Sequence, residues 1–323
     1  MIRNPFASCA AALGLLCAPL AAVAQPYPTG PITIVIPLAA GDSGDTTVRA
    51  MSEELSRQLN VPILVANRPG AGGAIGVQSV IAAKKDGYTL LFTQNGPLTI
   101  RRVLEPQAAS YDPAKDLTPL GISTRTPSIL VVRKDAPFRN FQDFIAQAKK
   151  APGSVRIGTP GTGSAADISV QVINSVAGVD ITAVPYKGAS PAVTDVLGGQ
   201  VEGVILALGA VSAHIKSGAL RPLAISSPFP DLPDVPTLSK LGYKQEIQGV
   251  WFGFFAPAGV PPEVAQTLVP ALERTVTNPA IAARLQPLGI SQEWSPAARL
   301  SAEIAAEYET VGELTRKLQP RKP

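Results

Sequence analysis

The sequence predicts an α/β protein made of two similar units, each a mostly parallel sheet flanked by helices. Three observations carry that prediction. Short β-branched runs such as "PITIVIP", "VPILVANRP" and "SILVVRKDAP" are bracketed by glycine or proline, as strands are. Between them apolar residues recur three and four apart, for example Val48, Met51, Leu55 and Leu59, the spacing of a helix with one buried face. The strand, loop, helix order then starts again past residue 125. Strands that are apolar throughout, separated by helices, argue for sheets covered on both faces. At roughly 100–200 residues per domain, the 323 residues suffice for two.

The first residues read as an export signal rather than as fold. Arg3 precedes an uncharged run from Pro5 to Ala24, which ends in Ala22-Val23-Ala24 before Gln25, a small-x-small cleavage pattern. Cleavage after Ala24 would release residues 25–323 as an exported protein. Gly14 and Pro19 interrupt the apolar stretch, which argues against a membrane anchor. Both cysteines, Cys9 and Cys17, fall in the removed segment, so the mature chain would have neither disulfides nor thiolate chemistry. His214 is the sole histidine, so no histidine cluster can hold a metal. The formal charge of +4 is small and scattered, and no nucleic-acid partner is expected.

The elements follow in order. "PITIVIP" is a strand, and "DTTVRAMSEELSRQLN" a helix with Asp45 where its N-cap should stand. "VPILVANRP", "GAGGAIGVQSVIAAKKDG" and "YTLLFTQN" supply strand, helix and strand. "YDPAKDLTPLGISTRTP" reads as a connection. The second unit runs from "SILVVRKDAP" through "NFQDFIAQAKKAPG", "SVRIGTPGTGS", "AADISVQVINSVAG", "ITAVPYKG", "SPAVTDVLGGQ" and "VEGVILA" to "LRPLAISS". "GVWFGFFAPAG" is an aromatic strand at the return to the first unit, and three segments rich in helix formers finish the chain. The resulting division is residues 25–125 plus 251–323 in one lobe and 126–250 in the other.

Two loops stand out as candidate chemistry. Ala39-Ala40-Gly41-Asp42-Ser43-Gly44-Asp45 contains GDSGD, close to the GDSGG around the nucleophile of trypsin-like proteases. A catalytic Ser43, or Ser164, would need a base in hydrogen-bond reach. The sole candidate, His214, sits near a predicted helix end, where a cation meets the negative end of the helix dipole. The alternative is a binding nest: a strand handing the chain to a helix leaves backbone N–H groups unpaired at the positive dipole end. "GTPGTGSAAD", Gly158 to Asp167, repeats that character in the second unit. Gly163-Ser164 lacks the lysine of a P-loop, and "PGAGGAIG" lacks the Rossmann glycine spacing, so neither supports a nucleotide. Asp42, Asp45 and Asp167 could in principle pair as glycosidase carboxylates, but no spacing rule links them. Trp251, Phe252, Phe254 and Phe255 have no interleaved basic residues and read as a buried strand rather than a base platform. Two dipole-ended loops, one per lobe, fit a small ligand held between lobes.

Taken together, "YPTGPITIVIPLAAG", "VANRPGAGGAIG", "KKDGYTLLF", "YDPAKDLTPLG", "GTPGTGSAAD", "VPYKGASPAVTDVLGGQVE", "HIKSGALRPLAISS", "LPDVPTL" and "WFGFFAPAGVP" occur in the order of one family. From Tyr27 to about Leu318 the chain resembles the periplasmic solute-binding proteins of tripartite tricarboxylate transporters, the Bug or TctC-like family. The resemblance implies a two-lobed periplasmic-binding-protein fold, type II-like, that closes on a small carboxylate and delivers it to a membrane transporter. It implies no catalysis, no metal and no cofactor, and the protein is expected to act as a monomer. Carried over by position, the ligand would meet Ala39, Ala40, Gly41, Asp42, Ser43 and Asp45 of the first loop. From the second loop it would meet Thr159, Gly161, Thr162, Gly163, Ser164, Ala165 and Asp167, and further along the cleft Gln94, Tyr186 and Leu206. Where the family reads Pro-Gly-Gly-Ser-Thr-Asp, this chain has Ala40-Gly41-Asp42-Ser43-Gly44-Asp45. Asp167 replaces a frequent histidine, and Leu206 a frequent acidic residue. Two added carboxylates facing the ligand would favour a nitrogen-bearing carboxylate over a simple dicarboxylate, since like charges repel by about 1 kcal/mol at 4 Å even in water.

Overall fold

The computed structural model describes residues 27–186 and 188–318. The predicted export segment, residues 1–24, lies outside the described residues. The first sheet begins with β1 (Ile32–Ile36), α1 (Ser43–Leu59), β2 (Ile63–Asn67), α2 (Ala74–Ile81) and β3 (Thr89–Gln94). β1 lies between β2 and β3 and runs parallel to both. Because successive side chains point to opposite faces of a strand, β1 serves two cores. Ile32, Ile34 and Ile36 pack with Val48, Met51 and Leu55 of α1, while Val35 packs with Val77 and Val80 of α2.

After β3 come three short helices, α3 (Asn95–Leu98), α4 (Ile100–Leu104) and α5 (Pro113–Asp116), and then β4 (Leu117–Thr126). The second sheet follows with β5 (Ser128–Arg133), α6 (Phe141–Lys150), β6 (Arg156–Thr159), α7 (Ala165–Ala177), β7 (Thr182–Pro185), α8 (Ala189–Leu197), β8 (Gly203–Ala207), α9 (Leu208–Lys216) and β9 (Leu220–Ile225). Its strand order is β7-β6-β8-β5-β9. One face buries Leu130, Val132, Phe141, Phe144, Val170 and Ile173 together, and the other Ile129, Val131, Val193, Val196 and Leu206.

The chain then returns to the first sheet through β10 (Val250–Pro257), α10 (Pro262–Val276), α11 (Pro279–Leu285), β11 (Ser291–Pro296) and α12 (Ala297–Leu318). That sheet is ordered β11-β4-β10-β3-β1-β2. β10 enters antiparallel between β3 and β4. Its aromatics are buried as the sequence reading expects: Phe252 and Phe254 stand 5.4 and 4.6 Å, centroid to centroid, from Phe92. Burying each ring is worth about 1.5–3 kcal/mol.

Both sheets are mixed. The parallel pairings are β1 with β2 and β3, and β6 with β7 and β8. Every ladder made by β4, β5 or β10, the strands that carry the chain between sheets, is antiparallel. β4 occupies the stretch that reads as a connection, because Pro119 and Gly121 interrupt its apolar pattern. Pro119 is accommodated beside a register shift in the β10 ladder, where a missing N–H does least harm. Gly121 has φ +156°, and a Cβ there would stand 2.5 Å from Trp294 Cη2, so the strand admits the indole of β11 only because the residue is glycine.

Pro127 alone separates β4 from β5, and residues 226–249 lead back from β9 to β10. The two crossings are tied to each other. Ser226 Oγ accepts the Ser128 N–H at 3.0 Å, and Ser226 N–H donates to the Ser128 carbonyl at 2.9 Å. Asn95 Nδ2 donates to the Gly249 carbonyl at 3.0 Å and to Glu307 Oε1 of α12 at 2.7 Å, fastening the end of β3 to both the crossing and the last helix. Among the described residues no helix is long and apolar enough to cross a membrane.

Candidate functional site

A cleft of about 820 Å³ lies between the two sheets, at the carboxyl ends of β1 and β6. Its walls include the loop from β1 into α1 and the loop from β6 into α7. α1 begins at Ser43 with Asp42 as N-cap, and no side chain caps it. The first N–H groups of a helix have no partner within the helix, and the Asp42 side chain supplies none for α1. Asp45 was expected at the cap; it lies instead inside the first turn and reaches backward. Its carboxylate accepts the Gly41 N–H at 2.8 Å, Arg49 Nε at 2.9 Å and Asn67 Nδ2 at 3.0 Å. Burial raises its pKa, but the bonds from Arg49, Gly41 and Asn67 outweigh burial and hold the group below the usual Asp range.

The second loop uses the same device. Asp167 accepts the Gly163 N–H at 2.9 Å, again a glycine four residues earlier. Ser164 caps α7: its Oγ accepts the Asp167 N–H at 3.2 Å and donates to the Gly161 carbonyl at 2.8 Å. Here burial dominates and pushes the Asp167 carboxyl up, with the single Gly163 bond opposing it. Each aspartate is thus bonded to the backbone of its own loop and fixes that loop's shape.

The structure sorts the sequence-derived residues accordingly. Ala39, Gly41, Asp42 and Ser43 of the first loop line the cleft, as do Gly161, Thr162, Gly163, Ser164 and Ala165 of the second. Gln94, at the end of β3, and Leu206, in β8, line it too. Ala40, Asp45, Thr159, Asp167 and Tyr186 are not among the lining residues. Asp45 and Thr159 are buried. Tyr186 donates its hydroxyl to Asp195 Oδ2 at 2.7 Å, toward α8, and burial followed by that carboxylate raises its pKa to about 12. The two aspartates read as facing a ligand therefore reduce to one, Asp42, whose Oδ1 accepts the Ser43 hydroxyl at 3.0 Å.

Several lining residues carry no signal in the sequence reading. Gly70, Gly72 and Gly73, from the "PGAGGAIG" segment set aside for lacking a nucleotide pattern, form part of the wall. Asn95 and Arg101 follow β3 in a stretch with no clear periodicity. Arg101 and Asp42 are the charged side chains on the cleft wall among the described residues. Neither loop serine is arranged as a nucleophile. Ser43 Oγ donates to Asp42, Ser164 Oγ to a carbonyl, and His214, in the last turn of α9, is not among the residues lining the cleft. Among the described residues no group of three or more His, Cys, Asp or Glu side chains is placed to hold a metal ion.

Proteins similar to this chain in sequence and structure include solute receptors. The TctC family pattern, described as tripartite tricarboxylate transporter family receptor, matches residues 47–319. BugT of Bordetella pertussis is 35% identical over 261 residues, 80% of this chain and 80% of BugT. The solved structure of the periplasmic binding protein BugD is 30% identical with a TM-score of 0.76, covering 90% of this chain and 98% of BugD. An R. palustris protein solved with adipate is 28% identical with a TM-score of 0.79, covering 90% of this chain and 97% of that one. MatC from Rhodopseudomonas palustris, solved with bound malate, is 28% identical with a TM-score of 0.75, over 89% of this chain and 99% of MatC. The chain belongs to the tripartite tricarboxylate transporter receptor family, as a solute-binding protein of the Bug type with the two-lobed periplasmic-binding-protein fold.

Proposed function

We propose that this protein captures a small organic carboxylate in the interlobe cleft, in the periplasm, and delivers it to a membrane transporter of the tripartite tricarboxylate type. The observation that carries the reading is a pair of strand-to-helix loops, one from each sheet, walling one cleft. A carboxylate between them would accept N–H groups from the starts of α1 and α7, each helix dipole adding about 0.3–1 kcal/mol, up to ~2 where partly buried. Ala39, Gly41, Asp42 and Ser43 would supply one half of that cradle, and Gly161 to Ala165 the other. Gln94 and Leu206 would bound the remainder of the ligand. Contacts from both lobes to one ligand supply the differential affinity that favours a closed arrangement over an open one. The adipate and malate complexes of the R. palustris relatives support the carboxylate class. A nitrogen-bearing carboxylate is the second reading, favoured by one observation, the Asp42 carboxylate on the cleft wall.

The test is a thermal-shift screen of the mature protein against small mono- and dicarboxylates and amino acids. A ligand at 100 times its dissociation constant adds about 2.7 kcal/mol of stability and raises Tm by several degrees. Silence across the panel would refute capture of a small carboxylate. Delivery is checked separately, by uptake of the hit ligand in cells with and without the gene for this chain.

A further inference from the structure

We infer that Arg101 is the specificity-determining cation of this cleft, and that with Glu105 it forms an exchangeable ion pair that receives a second acidic group on the bound carboxylate. The inference rests on the capture reading above and adds to it the residue that reads the ligand's far end. Arg101 and Arg102 are adjacent in α4, yet the fold separates them. Arg102 turns to α12 and α5, its guanidinium carbon 4.6 Å from the centroid of the Tyr308 ring and its Nη2 3.5 Å from Asp112. Arg101 turns the other way and lines the cleft.

The surroundings of Arg101 are those of a cation short of partners. Its side chain is only 20% exposed, and its single carboxylate contact among the described residues is Nη2 to Glu105 Oε2 at 2.9 Å. Glu105 is itself 46% exposed, so the pair is one-sided and half in water. The Arg101 Nε is buried and has no hydrogen-bond partner. Arg125 shows what a satisfied guanidinium looks like in this protein. At a similar 25% exposure it makes three bonds of 2.6–2.8 Å, to Glu303 and Glu293. A partly buried cation with one unmet donor gains from an acceptor that reaches its guanidinium.

The backbone leaves room for Arg101 where it is. Gly72, on the cleft wall, has φ +59°, and a Cβ there would stand 2.6 Å from the Arg101 Cζ, Nε and Nη1 atoms. Only glycine lets the guanidinium rest against that loop. A second carboxylate entering beside it forms a charge-assisted pair, with the planar fork of arginine suited to two oxygens. Glu105 competes for the same cation, so removing its charge should favour the ligand. The two residues of the pair therefore have opposite effects on affinity, which a merely structural ion pair would not produce.

The experiment is isothermal titration of the mature protein with succinate, glutarate and adipate, each beside its monocarboxylate counterpart, butyrate, pentanoate and hexanoate. The wild type is expected to prefer a dicarboxylate over its counterpart by at least about tenfold. Arg101→Gln is expected to lower dicarboxylate affinity about 10- to 100-fold while leaving monocarboxylates within about twofold. Glu105→Gln is expected to raise dicarboxylate affinity a few-fold and to leave monocarboxylates unchanged. Circular dichroism and Tm on each variant establish that it is folded, and Arg101→Lys, which keeps charge without the fork, is expected to recover part of the loss. A dicarboxylate-to-monocarboxylate ratio unchanged in Arg101→Gln, or a weakened ligand in Glu105→Gln, overturns this inference and leaves the capture reading standing. Wild-type protein that binds only monocarboxylates, or none of the six, also overturns it, while the capture reading itself falls only if the wider thermal-shift panel with amino acids is silent as well.

Discussion

Glu307 is the carboxylate whose replacement should change this protein's response to pH most clearly. It lies on α12, 8% exposed, where Asn95 Nδ2 donates to Oε1 at 2.7 Å and Trp251 Nε1 to Oε2 at 3.1 Å. Burial pushes its pKa up to about 7, the bonds from Asn95 and Trp251 oppose the rise, and Glu303 one turn away adds to it. Because the folded pKa exceeds the unfolded value, the folded state holds the proton after the unfolded state has lost it. Stability from this group is therefore complete below about pH 4.3, the unfolded Glu value, and is lost as pH rises to about 7. At 1.36 kcal/mol per pKa unit the loss amounts to roughly 3–4 kcal/mol, or a Tm change on the order of 5–10 °C for a chain of this size. Glu307→Gln cannot titrate, and its amide sets a donor against one of two existing donors, so it is destabilised at acid pH by about 1–3 kcal/mol. The assay is Tm of both proteins from pH 5 to 8. The Tm advantage of the wild type should shrink steadily over that range, since all other titrations cancel in the difference. Parallel Tm curves would refute the assignment of a neutral, proton-bearing Glu307 at the crossing between lobes.

Two further outcomes follow from the packing. Asp45→Ala strands the Gly41 N–H and removes the partner of Arg49 and Asn67, so urea denaturation at pH 7 should show a loss of about 2 kcal/mol. Its pKa is lowered in the fold, so the contribution is present above the unfolded Asp value near pH 3.9 and disappears as pH falls below it. Mutant and wild type should converge in acid, and a difference that persists at pH 2 would contradict the role given to the charge. Gly121→Ala places a methyl group against the Trp294 ring and should destabilise by about 1–3 kcal/mol. The combination of Gly121→Ala with Trp294→Leu should then be less unstable than the two separate effects added, and simple additivity would show that the contact is not the cause.

Much of the fold was legible in the chain because its inner strands are buried on both faces and its helices on one. Ile32–Ile36 and Ser128–Arg133 read as strands, and Val48, Met51, Leu55 and Leu59 read as a helix face, since burial selects side chains at those periods. The two strand-to-helix loops were legible from their small residues, and Gly41, Asp42, Ser43 and Gly161 to Ala165 of those loops line the cleft. β4 was not, because a strand whose glycine receives an indole and whose proline sits at a register shift loses its local pattern to its neighbours.

What the tertiary structure decided is where charged side chains point. Sequence placed Asp42, Asp45 and Asp167 in equivalent loops; backbone N–H groups at Gly41 and Gly163 then drew two of them inward and left Asp42 on the cleft wall. Adjacent arginines in one short helix are indistinguishable by spacing, yet Gly72 on one side and Tyr308 on the other send Arg101 to the cleft and Arg102 to α12. Glu307 is one of several glutamates along a polar helix until Asn95 and Trp251, 212 and 56 residues away, close over it. Periodicity is a local property and survives in the sequence. The environment of an ionisable group is set by atoms brought together from distant parts of the chain, and it exists only once the sheets have closed around it.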